Sequence, residues 1–163
     1  MKVAVSNDHR GHKAIEEIRA IISQLGMTCV DLSTPSDHPA DYPDSAYIAA
    51  RSVADHHADA AILVCGTGIG MSIAANKIKG IRAALCYDEL AARLARQHND
   101  ANVLCLSGDL IGSNTLRKIV ETFLTTDFVN GRHLRRVRKI QAIEEGKDPR
   151  EITGQNSEFR IEN

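Results

Sequence analysis

Asp59-Ala60-Ala61-Ile62-Leu63-Val64-Cys65-Gly66-Thr67-Gly68-Ile69-Gly70-Met71 decides the reading of this chain. The run up to Val64 is short and apolar throughout, as in a strand buried on both faces, and Met71-Ser72-Ile73-Ala74-Ala75-Asn76-Lys77 continues as a helix. Gly66, Gly68 and Gly70 therefore stand at a strand-to-helix junction. There they let the backbone turn tightly and bring its N–H groups close to a bound anion, and the helix N-terminus adds partial positive charge. A cysteine just ahead of such a nest is in surroundings that lower a thiol pKa below its free value of ~8.5, so Cys65 is a candidate base or nucleophile. Two plainer readings compete: a core cysteine at a strand end, and a dinucleotide-binding turn, whose third glycine is spaced differently.

Outward from this stretch the chain alternates. Apolar runs at 2–6, 28–32, 81–87 and 102–106 read as further strands. Between them, Ile15, Ile18, Ile22 and Leu25 recur at helical spacing, with Gly26 placed to end the helix. Asp44 is expected to cap a helix reaching His57, and Asp88 one ending near His98-Asn99. Ser113 or Asn114 is expected to cap a helix whose Leu116, Ile119, Val120, Phe123 and Leu124 share a face. Such alternation predicts an α/β fold with a parallel sheet covered on both sides. Residues 33–43 hold three of the four prolines and read as a loop long enough to serve as a lid.

Bulk properties narrow the classes. A chain of 163 residues, 43% of them hydrophobic, holds one domain, read as residues 1–146 with a polar tail at 147–163. A net charge of −1 gives no field for nucleic acid or membrane, and 4% aromatic content gives no base-stacking platform. No apolar run approaches the ~20 residues that span a bilayer, and a strand starting at Lys2 leaves no room for a signal peptide, so a cytoplasmic protein is expected. Cys29, Cys65, Cys86 and Cys105 are dispersed with no C-x-x-C pair, so neither disulfides nor a zinc site is expected. Asp55-His56-His57 with Asp59 reads as a polar helix end.

In open parallel sheets ligands bind beyond the carboxyl ends of the strands. That brings Asp8 and His9, after the first strand, toward the Cys65 loop. His98 falls at a helix C-terminus, where periodicity does not place it in the cleft. Residues 132–139 hold six cationic side chains, of which Arg132 and Arg136, four apart, share a face suited either to solvent or to a phosphate.

Several motifs together resemble the type B ribose-5-phosphate isomerases, in the family that also holds allose-6-phosphate and galactose-6-phosphate isomerases. They are Asn7-Asp8-His9-Arg10-Gly11, Asp41-Tyr42-Pro43, Cys65 to Gly70, Ala74-Ala75-Asn76-Lys77, Gly80-Ile81-Arg82-Ala83, Arg96 to Leu104 and Gly131-Arg132-His133. The resemblance implies a three-layer α/β/α Rossmann-like fold with a five-stranded parallel sheet. It also implies a homodimer or dimer of dimers whose active sites are shared between subunits, and isomerisation of an aldose phosphate without metal or cofactor. By the same resemblance Cys65 is the base at C2, Thr67 supports the thiolate or the reacting oxygens, and the amides of Gly66, Thr67, Gly68, Ile69 and Gly70 hold the enediolate. His98 assists ring opening, Asp8, His9 and Tyr42 contact substrate, Asn99 bonds the reacting oxygens, and Arg132 and Arg136 hold the phosphate.

One branch of the family replaces the cysteine by a glutamate just after the glycine loop. Here Cys65 is present and Met71 follows Gly70, as in the cysteine branch. After the fifth strand many relatives carry an arginine where this chain has Asp109; Arg10, where relatives often have a small residue, is a replacement positive charge. Asp109 is expected to point away from a bound phosphate or to alter the site. The leading expectation is a ribose-5-phosphate isomerase, followed by an allose-6-phosphate isomerase and by a catalytically lost sugar-phosphate sensor. A Cys65 sealed from every ligand would remove the chemical reading.

Overall fold

In the computed structural model, which describes residues 1–35 and 40–153, five strands form one all-parallel sheet in the order β2-β1-β3-β5-β4. They are β1 (Lys2–Asn7), β2 (Thr28–Asp31), β3 (Ala60–Cys65), β4 (Ala83–Leu85) and β5 (Val103–Ser107). Every residue of β3 and β5 is buried, as central strands covered on both faces require. Among the described residues six α-helices complete the layers: α1 (His12–Gln24), α2 (Tyr42–Ala54), α3 (Ile69–Ala75), α4 (Glu89–Asn99), α5 (Ser113–Thr125) and α6 (Arg132–Glu144).

Strand alternation sorts the core into two halves. Val3, Val5, Ile62, Val64, Leu104 and Leu106 face α1, α4 and α5, where Ile15, Ile18, Ile22, Ala92, Ile119 and Phe123 meet them. Ala4, Ala61, Leu63, Cys65 and Cys105 face α2 and α3, against Ala46, Ala49, Ala50, Val53 and Met71. Small alanines on α2 let that helix lie close to the sheet. Because α1 and α3 lie on opposite faces, the loops after the adjacent strands β1 and β3 diverge and leave a crevice between them. This is the topological switch point at which open α/β sheets bind ligands.

The outline follows the sequence reading, with local corrections. The N-cap of α2 is Asp41, with Pro43 in its first turn. Asp44 lies one turn inside, its N–H bonded to the Asp41 carbonyl. Gly112 occupies the N-cap of α5; Ser113 instead donates its hydroxyl to Glu17 at 2.6 Å. Asp88 does cap α4, accepting the Ala91 N–H at 2.7 Å. β4 spans three residues, not seven. Its entry is shaped by side chains: Asn76 bonds both the N–H and the C=O of Ala83, and Asn102 bonds Arg82 N–H and Gly80 C=O. Of the expected tail, residues 149–151 form a short 3-10 turn against α6, with Lys139 Nζ donating to the Pro149 carbonyl at 2.8 Å. Residues 36–39, within the proline-rich loop, and 154–163 lie outside the described residues. No described helix is long and apolar enough to cross a membrane.

Candidate active site

Cys65 is the last residue of β3, and its sulfur accepts the Gly68 N–H at 3.1 Å. The bond closes the loop on its own strand. Gly68 takes φ +78°, and a Cβ there would stand 2.9 Å from the Leu106 carbonyl oxygen and 2.6 Å from Leu85 Cδ1, so the turn admits only glycine. Thr67 lies exposed at the tip; its hydroxyl accepts the Ile69 N–H at 3.3 Å and its carbonyl accepts the Tyr87 hydroxyl at 2.9 Å. Two of the five loop amides expected to face a ligand, those of Gly68 and Ile69, are thus engaged within the loop.

Cys65 is buried at 4% exposure, and Cys105 is fully buried. Burial pushes the Cys105 thiol far up in pKa, and burial with the nearby Asp88 carboxylate pushes Cys86 up to about 12. Those two are therefore neutral core residues. All four cysteines are free.

Around the sulfur the β1 loop is fixed by Asp8, whose buried carboxylate accepts the N–H groups of Arg10 at 2.9 Å and Gly11 at 3.2 Å. The Asp8 N–H in turn bonds the Val64 carbonyl at 3.2 Å, joining the two loops across the switch point. His9 is exposed beside it. Tyr42, 44% exposed at the start of α2, lays its ring on Gly70, where a Cβ would fall 2.5 Å from Cε2. The third wall is the β5 loop: Gly108 N–H bonds the Cys65 carbonyl at 2.8 Å and Ser107 Oγ donates to the Gly66 carbonyl at 2.5 Å. Asp8, His9, Tyr42, Cys65, Thr67 and the glycines therefore gather at the carboxyl end of the sheet.

The other expected site residues do not join them within one chain. α4 starts at this end and runs back for 11 residues, about 16 Å at 1.5 Å per residue. Its last residues reach the edge where β4 and β5 begin, and Arg82, just ahead of β4, donates to the carbonyls of Asn99 and Asp100. There α6 packs against α4, and the rings of His98 and His133 stack with centroids 4.1 Å apart. Arg132 donates to His133 Nε2 at 3.5 Å, and Arg132, Arg136 and Asn99 are exposed around the pair. Burial, then His98, Arg132 and Arg136, hold the His133 pKa below the usual histidine value. One end of the sheet thus carries a thiol and an amide loop, and the opposite end carries histidines and arginines.

The sequence reading gave no role to His133 or Tyr87. His133 is one of six basic residues in the run 132–139, the other five being Arg or Lys, and its partner lies 35 positions away. Asp109 also has an unforeseen partner: Arg10 Nη2 and Nε meet its Oδ2 at 2.7 and 2.8 Å. The acid is ion-paired, and the Asp109 contact holds the Arg10 pKa above its ordinary value. Among the described residues no cluster of three or more His, Cys, Asp or Glu side chains could hold a metal ion.

Comparison with known proteins gives this arrangement its class, that of the sugar-phosphate isomerases, enzymes that interconvert aldoses and ketoses. Residues 3–140 match the model of the family described as Ribose/Galactose Isomerase. The chain belongs to that family. It is 42% identical to the ribose-5-phosphate isomerase B of Escherichia coli, over 90% of this chain and 99% of that one. It superposes on the type B ribose 5-phosphate isomerase of Trypanosoma brucei with a TM-score of 0.85 at 49% identity, over 87% of this chain and 97% of that one. For the Mycoplasma genitalium ribose-5-phosphate isomerase B with bound ribulose-5-phosphate, the TM-score is 0.83 at 41% identity, over 88% and 96%.

Proposed function

We propose that this chain interconverts ribose 5-phosphate and ribulose 5-phosphate, with Cys65 as the base and with each active site completed by a second copy of the chain. The observation that carries the reading is the Gly68 N–H on the Cys65 sulfur at 3.1 Å, at the switch point of the sheet. The relatives named for ribose 5-phosphate, one with bound ribulose-5-phosphate, support the substrate.

The split of the site supports the second copy. A sugar phosphate of five carbons does not span the depth of the sheet, so the histidine and arginine face must come from another subunit. Tyr47 and Ile48 on α2 and Ile69 and Ile73 on α3 are exposed beside the Cys65 loop, and apolar side chains clustered at a site's rim suit burial against a partner.

In this reading His98 of one subunit, with Asp8 and His9 of the other, moves protons as the furanose opens to the aldehyde. The Cys65 thiolate takes the proton from C2 of the open chain. The electron pair forms the C1–C2 double bond, and the charge collects on the C1 oxygen. Main-chain N–H donors of the loop, with Thr67 and Asn99, meet that charge as it develops, which lowers the barrier selectively. A proton passes from the O2 hydroxyl to O1 as the thiol returns its own proton to C1, so that C2 becomes the ketone, C1 becomes the hydroxymethyl carbon and no net proton is consumed. Arg132 and Arg136 grip the phosphate, remote from the reacting carbons, and thereby orient the substrate.

The test is ketose formation from ribose 5-phosphate, allose 6-phosphate and galactose 6-phosphate. The reading expects the largest kcat/KM with ribose 5-phosphate. A larger value with a six-carbon phosphate reassigns the substrate, and binding without turnover of any of them makes the chain a sensor.

A further inference from the structure

Arg10 and Asp109 come from different strands' loops and meet over a third. The Arg10 backbone is fixed by the Asp8 carboxylate, which accepts its N–H at 2.9 Å. Its side chain crosses Gly66 so closely that a Cβ there would lie 3.0 Å from Arg10 Cδ and Nε and 3.0 Å from Asp109 Oδ2. Asp109 is held just as firmly, its N–H shared between the Gly66 carbonyl and Ser107 Oγ, both at 3.2 Å. Both guanidinium contacts land on the same carboxylate oxygen, at 2.7 and 2.8 Å, and so use one edge of a fork that carries five N–H donors.

The pair is open to solvent, with 56% of the Arg10 and 36% of the Asp109 side chain exposed. An exposed ion pair adds little to stability; this one fixes the direction of a guanidinium. Residues 8–11, 66–68 and 108–112, the loops at this end of β1, β3 and β5, contain no other arginine or lysine. A doubly charged substrate entering beside Gly66 therefore meets Arg10 as the permanent cation of these three loops.

We propose that Arg10 binds the substrate phosphate from the Cys65-bearing subunit, with Asp109 as the positioning residue that aims it. This rests on the sugar-phosphate reading above. The free edge of the fork offers two parallel N–H donors, the geometry that phosphate oxygens accept. Asp109 sets the angle and tempers the charge, so removing either residue shifts anion affinity in opposite directions.

The experiment measures KM and kcat for ribose 5-phosphate, and inhibition by inorganic phosphate, for Arg10→Ala, Arg10→Lys and Asp109→Asn at low and physiological salt. Arg10→Ala is expected to raise KM and the phosphate inhibition constant about tenfold or more, with a much smaller change in kcat, and Arg10→Lys to recover part of the loss. Asp109→Asn is expected to tighten phosphate a few-fold at low salt, an effect that fades as salt rises. Weakening in both single variants makes the pair a clip between loops and overturns the proposal, as does an unchanged phosphate constant in Arg10→Ala. If the parent chain turns over no sugar phosphate, the underlying reading fails. Calorimetric titration of the same variants with inorganic phosphate then still decides the role of Arg10. Far-UV circular dichroism identifies any variant that has failed to fold, and Arg10→Lys preserves the test if Arg10→Ala does.

Discussion

The imidazoles of His98 and His133 lie face to face, 4.1 Å apart and within 3° of parallel, although α4 and α6 bring them from distant parts of the chain. Burial, with His98, Arg132 and Arg136 nearby, disfavours a positive charge on the His133 ring. His133 is 5% exposed, and its Nδ1 is buried without a hydrogen-bond partner among the described residues.

A dependence of stability on pH follows. The folded-state pKa of His133 is lowered from 6.5, first by burial and then by His98, Arg132 and Arg136. A depressed folded pKa means that the unfolded chain binds the proton more readily. The stabilisation is therefore complete above the unfolded value of about 6.5 and is lost as pH falls through the folded value. Thermal unfolding from pH 8 down to 5 is expected to show a flat upper region and a falling Tm below neutrality. His133→Gln is expected to flatten the part of the fall due to this group.

Two glycines of one loop are expected to respond differently to alanine. Gly68→Ala meets both a positive φ of +78° and the Leu106 backbone, and costs about 3 kcal/mol from strain and overpacking. Gly70→Ala meets first the ring of exposed Tyr42, which can swing aside, and costs under about 1 kcal/mol. Because that swing removes Tyr42 from the site, kcat/KM is expected to fall further than stability does. Urea unfolding and steady-state kinetics on the two variants check both statements.

The proposed sharing of sites between subunits predicts complementation. Cys65→Ala and His98→Ala homodimers are each expected to be nearly inactive. A dimer with one subunit of each kind carries one site with both native residues and one with neither. Unfolding and refolding the two variants together in equal amounts is expected to restore about a quarter of the parent activity, since half the dimers are mixed and half their sites are whole. No recovery in mixtures shown by mass spectrometry to contain hybrids would return both residues to one chain.

Much of this fold is legible in the sequence. Buried central strands announce themselves as apolar runs, so β3 and β5 were plain, and the glycine spacing after Cys65 marked the loop. Elements decided by local chemistry were harder: Asp41 and Asp44 both suit a cap, and Pro43 after Asp41 sets the start of α2. Ile81 and Cys86 are apolar and extend the run, but Asn76 clamps Ala83, the first residue of β4, and Asn102 clamps Gly80 and Arg82 just ahead of it. Placing His98 depended on the direction of α4, which returns the chain to the far edge of the sheet. Side-chain meetings such as His98 with His133 and Arg10 with Asp109 join positions 35 and 99 apart, distances over which periodicity carries no information.

The most direct test concerns the sulfur itself. Cys65→Ala should lower kcat for ribose 5-phosphate by about a thousandfold or more, as expected when the group that takes the proton is lost. The calorimetric dissociation constant for ribose 5-phosphate should stay within about threefold, since the substitution leaves the arginines proposed to hold the phosphate in place. A variant that keeps kcat within about tenfold of the parent would contradict the account.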